Sequence, residues 1–179
     1  QCTPVGEGAA AVVVMSEDAI KAHGIDPARA VRVLSSAAKS QATYEDPTAF
    51  DELLSQVTCA QALAEAGVAP DALDVVELHD AFAIEEVLYA EAMGLCKPGQ
   101  ALAALKAGEF HIGGKVAVSP SGGLIAMGHP IGPTGVGQIA EIALQLRGEA
   151  GQRQQPQART GLAHMVGVGA VCYAHVLSI

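Results

Sequence analysis

Along this chain, continuous apolar runs alternate with segments whose apolar residues recur every three or four positions. Ala9–Met15 reads AAAVVVM, an unbroken run of strand length and the pattern of a strand covered on both faces. Ser16 then caps a short helix with Glu17 and Asp18 in its first turn, and Gly24 ends it. Val31–Ser36 alternates as a second strand, followed by a polar connection over Ala38–Pro47. Thr48–Ala66 carries Phe50, Leu53, Leu54, Val57, Ala60, Leu63 and Ala64 at helical spacing, with Gly67 as its stop. Asp71–Leu78 is strand-like and delivers His79-Asp80 at its end.

Ala81–Gly94 reads as a helix with Phe82, Ile84, Val87, Leu88 and Met93 as its apolar positions, and Asp80 stands where it would cap it. Cys96–Val118 has no sustained period beyond a helical stretch at Leu102–Ala107. Ser119–Gln138 is dense in glycine and proline, and runs into a helix from Thr134 or Gly135 to Gly148 with Ile139, Ile142, Ala143 and Leu146 on one face. Glu149–Arg159, rich in glutamine, reads as a solvated connection. Gly161–Val166 and Ala170–Ile179 predict a closing antiparallel hairpin. Strands alternating with helices make this an α/β domain spanning 1–179: a mixed sheet with helices on both faces.

Composition narrows the function. The 179 residues can bury a substantial core, but aromatics are only 3% and Trp is absent, so Ala, Val, Leu and Ile must fill it. Ten basic and 19 acidic residues leave a net charge of −9, which argues against a nucleic-acid partner. Cys2, Cys59, Cys96 and Cys172 are widely spaced without a CxxC pair, as expected of reduced thiols in a cytoplasmic protein. Cys59 and Cys172 read as core packing. No uninterrupted apolar stretch reaches about 18 residues, so no membrane span is expected. The opening Gln-Cys-Thr-Pro, followed at once by a strand-like run, suggests the later part of a longer protein.

Three histidines stand where strands end or glycine-rich turns begin: His79, His129 and His164. Ligands in open α/β sheets gather at the carboxyl ends of strands, which makes these side chains the first candidates for chemistry. Imidazole carries protons near neutral pH and, when neutral, can donate to a developing oxyanion. Gly167 and Gly169 could offer bare backbone N–H groups for the same purpose. No HxH, HxxxH or HxxE spacing supports a metal site, and His23, His111 and His175 read as structural or exposed. Gly135-Val136-Gly137 lacks the third glycine of a dinucleotide loop, with Ala140 in its place.

At these residues the chain resembles the thiolase superfamily, specifically the C-terminal half of thiolases of the sterol-carrier-protein type. GEGAAAVVV resembles the family's opening strand and VVELHDAF its HDxF motif. SPSGGLIAMGHPIGPTG is similar to its NPSGG…GHPxGATG loop, QLRGEAG to the helix after it, and HMVGVGA to its HNxGxG segment. The resemblance implies a five-stranded mixed sheet and chemistry on an acyl-CoA substrate: cleavage or condensation of a 3-ketoacyl-CoA, with the coenzyme A thioester as substrate and no bound cofactor. It places the nucleophilic cysteine in an N-terminal half outside this sequence. The role of activating that cysteine falls on His129. Binding the thioester oxygen with a water falls on His79, and completing the oxyanion hole falls on the N–H of Gly167. It further implies a homo-oligomer and, in degradative members, a small zinc-ribbon/OB-fold accessory subunit.

The departures are chemical. Met165 and Ala81 occupy the places where the family carries its second, acid/base cysteine, and neither moves a proton. Proton transfer at the substrate α-carbon is therefore expected of His79 or His164, unless the substrate requires none. Retro-aldol cleavage of a 3-hydroxyacyl-CoA and a non-catalytic lipid-carrying or assembly role are the alternatives.

Overall fold

The structure, a computed structural model, describes residues 1–41, 50–167 and 171–179, with the side chains of all of these except Phe50 and Asp51. Of the connection expected over Ala38–Pro47, Ala38–Ser40 instead extend the preceding strand; residues 42–47, the helix start at Thr48, the Phe50 side chain and Gly169 lie outside that description. Five strands form one sheet: β1 (Arg32–Ser40), β2 (Val75–Glu77), β3 (Ala117–Val118), β4 (Thr160–Gly167) and β5 (Val171–Ser178), in the order β1-β5-β4-β2-β3. β5 is antiparallel to both β1 and β4, and β2 runs parallel to both β4 and β3. The sheet is thus mixed, and β4–β5 is the expected closing hairpin, in register from Thr160 opposite Ser178 to Gly167 opposite Val171.

Successive side chains of a strand point to opposite faces, and each face has its own core. On one side Leu162 and Val166 of β4 and Cys172, Ala174 and Val176 of β5 pack with Leu54, Cys59 and Leu63 of α2 (Phe50–Ala66) and Tyr89 of α3 (Ala83–Ala92). On the other, Val75, Ala163 and Leu177 pack with Ile142 and Leu146 of α6 (Thr134–Leu146). Gly161 lets α6 approach closely, since a Cβ there would lie 2.6 Å from Ile142 Cγ2. Cys59 and Cys172 are fully buried, in keeping with their reading as packing residues.

Several expectations fail for definable reasons. Ala9–Met15 is not a strand: it pairs with no strand among the described residues, and Val13 and Val14 are 86% and 83% exposed. The fifth strand is instead Ala117–Val118, whose two paired residues are too few to show a period. The buried face of α2 is Leu54, Ser55, Thr58, Cys59, Ala62 and Leu63, while Leu53 and Val57 face outward. Thr58 is tolerated inside because its Oγ1 donates to the carbonyl of Leu54 at 2.7 Å. Phe82 and Ile84 are likewise exposed, and α3 buries Tyr89 and Ala90 instead. The glutamine-rich connection is anchored: Gln154 Nε2 donates to the carbonyl of Gln145, and Gln155 N–H to Gln145 Oε1.

Two glycines give opposite tests. Gly161→Ala is expected to destabilise the fold by about 1–3 kcal/mol, because Ile142 and the β4 backbone must move apart. Gly137→Ala, inside α6 with no atom nearer than Ala10 Cβ at 4.0 Å, is expected to stabilise it by about 0.5–1 kcal/mol. Urea denaturation of the two variants measures both signs.

Candidate active site

β2 ends at Glu77, and the chain beyond it turns through Leu78, His79 and Asp80. Three buried side chains join this turn to the glycine-rich loop. Glu77, 1% exposed, accepts from the N–H and Oγ–H of Ser121 at 3.0 and 2.7 Å. Asp80 Oδ1 accepts from the N–H of Leu124 at 2.7 Å, in the first turn of α5 (Gly123–Met127). Asp80 therefore caps α5 and not α3, where the Glu85 carboxylate accepts from the Phe82 N–H instead. Position 123 must be glycine, since a Cβ there would overlap the Asp80 carboxylate and φ is +62°. The third link is Thr3, whose Oγ1 donates to the carbonyl of Leu124 and whose N–H donates to that of Ala81 at 2.9 Å.

The first residues form part of the site. Ala83 N–H donates to the Gln1 carbonyl, Cys2 bridges to Phe82, and Val5 bridges to His129. Residues 1–5 thus tie the turn after β2 to the loop that carries His129.

His79 and His129 meet edge to face, with ring centroids 5.0 Å apart and planes at 85°. His129 Nδ1 is 2.8 Å from Thr134 Oγ1 at the start of α6. His79 Nδ1 is 2.9 Å from the Met165 sulfur on β4. Burial, and secondarily the neighbouring His129, lowers the pKa of His79 to about 4. Burial also holds His129 below the usual histidine range, partly opposed by the Asp80 carboxylate. Both shifts favour the neutral ring at pH 7. Just beyond His129, Ile131 has φ +54°, a strained conformation for a β-branched residue and of a kind that collects at functional sites.

The other candidates are placed differently. His164 alternates to the opposite face of β4, fully buried against α2 and α3. Its Nδ1 accepts from the His79 backbone N–H at 3.4 Å, Nε2 lies 2.9 Å from Ser55 Oγ, and Tyr89 packs edge-on at 4.9 Å. Burial lowers its pKa to about 3. Both nitrogens are engaged, so the ring supports the turn from behind the sheet. Gly167 ends β4 on the same face as Met165 and lines a cavity of about 300 Å³ with Ile131, Gly132, Gln138, Tyr173 and His175. Met165 belongs both to that wall and to the His79 contact. A hollow of about 420 Å³ beside Cys96 and Lys97 is lined by none of the histidines.

His175 Nδ1 is 3.0 Å from Ser36 Oγ, and His23 and His111 are exposed. Among the described residues no cluster of three or more His, Cys, Asp or Glu could hold a metal ion, and no helix is long and apolar enough to cross a membrane. Sequence reasoning missed Glu77, Thr3 and Thr134. An acidic residue inside VVEL, a run otherwise apolar, was the available sign for Glu77.

A family described as "thiolase C-terminal domain-like" matches residues 35–179. Sterol carrier protein 2 of Rattus norvegicus is 40% identical over 178 residues, covering 94% of this chain and 32% of that protein. The benzoylsuccinyl-CoA thiolase subunit BbsB of Thauera aromatica is 39% identical over 94% of this chain and 44% of its own length. Acetyl-CoA acetyltransferase of Methanothermobacter thermautotrophicus is 36% identical over 99% and 46%. The chain thus spans between a third and a half of these relatives. Among solved structures, one titled "Ltp2-ChsH2(DUF35) aldolase" shares the fold, with a TM-score of 0.70 at 22% identity over 83% of this chain and 39% of that one.

Glu77 yields a pH test. Burial among Glu141, Asp80 and the Ser121 donors raises its pKa from 4.5 to about 7, desolvation outweighing the two hydrogen bonds. Arg153, paired with Glu141 at 2.8 Å, is the nearby cation. The folded state then binds the proton more tightly than the unfolded state. The contribution of Glu77 to stability is full below pH 4.5 and is lost as pH rises towards 7. Glu77→Gln removes that dependence. Its stability relative to the parent is expected to rise by about 3 kcal/mol between pH 4.5 and 8, measured by urea unfolding; parallel curves would contradict this.

Proposed function

The chain belongs to the family of thiolase C-terminal-like domains, and from that premise we propose that it supplies the histidine-bearing half of an enzyme acting on acyl-CoA thioesters. The observation that carries this reading is the pair of neutral imidazoles, His79 and His129, held face to edge by buried anchors. A neutral imidazole accepts a proton from an attacking thiol, and an exposed loop histidine would be half charged near its ordinary pKa.

The nucleophile comes from an N-terminal half. Its cysteine presents its thiol to Nε2 of His129, which takes the proton while Thr134 holds Nδ1. The thiolate attacks the 3-keto carbon, and oxyanion charge falls to the Gly167 N–H and to a water held by His79. Cleavage of the C2–C3 bond then leaves the acyl group on the cysteine and releases the C1–C2 thioester as an enolate, whose C2 takes the proton held on His129; the acyl group passes from the cysteine to the sulfur of coenzyme A, whose thiol proton returns to the cysteine through His129. Apolar groups left uncovered near these loops support a covering partner: Val5, Phe82, Ile84, Met127 and Ile131 are 51–85% exposed, and Val13 and Val14 are 86% and 83% exposed. Self-association and a small zinc-ribbon/OB-fold partner belong to the same proposal.

One observation favours a second reading. Met165 stands where the resemblance expects an acid/base cysteine, and a thioether moves no proton. Retro-aldol cleavage of a 3-hydroxyacyl-CoA needs only one base. His79 takes the hydroxyl proton, the C2–C3 bond breaks to give a carbonyl compound and an enolate, and the same proton returns to C2. His164, engaged at both nitrogens, is a positioning residue in either case.

With the chain assembled with its nucleophile-bearing half, CoA-dependent cleavage of a 3-ketoacyl-CoA is expected. His129→Ala and His79→Ala are each expected to lower kcat by about 10²–10⁴-fold with the circular dichroism spectrum unchanged. Turnover within a few-fold of the parent in both variants would overturn the reading. Aldehyde or ketone release from a 3-hydroxyacyl-CoA without added coenzyme A would select the retro-aldol reaction.

A further inference from the structure

The contact between His79 and Met165 bears on which ring nitrogen carries the proton. A thioether sulfur has lone pairs and no hydrogen, so it can only accept. At 2.9 Å from Nδ1 it is compatible with an N–H and opposed to a bare nitrogen, which would set two lone pairs against each other. A neutral imidazole carries one proton, and with that proton on Nδ1 the far nitrogen, Nε2, is bare.

Neither of the other two histidines, His164 and His129, is constrained in this way. The opposite tautomer holds at His164, where a backbone N–H points at Nδ1 and Nε2–H is left for Ser55. His129 faces the Thr134 hydroxyl, which donates or accepts and leaves the tautomer open. Met165 itself has little freedom. It stands on β4 opposite Tyr173, and Gly135 in the first turn of α6 lies over it, with a Cβ there falling 3.6 Å from Met165 Cγ.

We propose that Met165 is a positioning residue that fixes the Nδ1–H tautomer of His79 and so makes Nε2 a proton acceptor towards the substrate. The consequence is chemical. His79 does not donate directly to a thioester oxygen. It acts on that oxygen through a group that gives it one hydrogen, either a water whose second hydrogen turns to the oxygen or a hydroxyl of the substrate itself. The residue in the place of a proton-moving cysteine thereby contributes by orientation, and the catalytic consequence rests on the function proposed above.

The test is nitrogen-15 NMR of the chain with labelled histidine at pH 7, reading the two-bond couplings from the ring nitrogens to the carbon-bound protons. The expected spectrum shows a protonated Nδ1 and a lone-pair Nε2 for His79, and the reverse for His164. Met165→Leu, close in volume, is expected to move His79 towards the Nε2–H form while the His164 signals stay in place as the control. A parent His79 carrying its proton on Nε2, or a His79 tautomer unchanged in Met165→Leu, would overturn the inference. Should Met165→Leu not fold, the parent spectrum alone decides. Absence of turnover in the assembled enzyme, with the expected tautomer present, would overturn the proposed function and leave this assignment standing.

Discussion

Two buried carboxylates at the end of β2 hold the site together. Glu77 and Asp80 reach across to the glycine-rich loop and accept from Ser121 and Leu124. Burying such groups is unfavourable unless their oxygens are hydrogen-bonded, and that desolvation is why both pKa values are raised. The loop from Ser119 to Pro133 has little internal repetition to define it, so these anchors set its path. That path carries His129 to within ring contact of His79. Gly123 follows from the same constraint, because the Asp80 carboxylate occupies the space where a Cβ would stand.

The sheet separates the histidine pair from the side chains that support it. β4 sends His164 to the side of α2 and α3, and Met165 and Gly167 to the side of α6 and the histidine pair. A polar chain therefore crosses the sheet from Ser55 through His164 to the backbone of His79, and it holds the turn that carries the His79 ring. On the far side, a sulfur that can only accept lies against one nitrogen of that ring. Position and proton state are thus set by different neighbours.

Much of the fold was legible because it rests on long periodic segments: α2, α6 and the β4–β5 hairpin each span eight residues or more. Ala9–Met15 misled because an apolar run reports that a segment wants cover, not where the cover is. In this chain Val13 and Val14 have none. Ala117–Val118 was invisible because two residues carry no period. His79 and His129 were readable from their settings, a strand end and a glycine-rich loop. Asp80 was assigned to the nearest helix in sequence, whereas the helix nearest in space is α5. The distinct placing of His164 needed the alternation of β4 against α2, which rests on Ser55, a polar residue at a buried helical position.

The most direct measurement is the pH titration of the His79 ring by NMR. A ring buried against Met165 and His129 is expected to stay neutral through pH 5 and to titrate near 4. A pKa at the ordinary value of about 6.5 would mean that the ring reaches water, and that the buried pair on which the account depends does not exist.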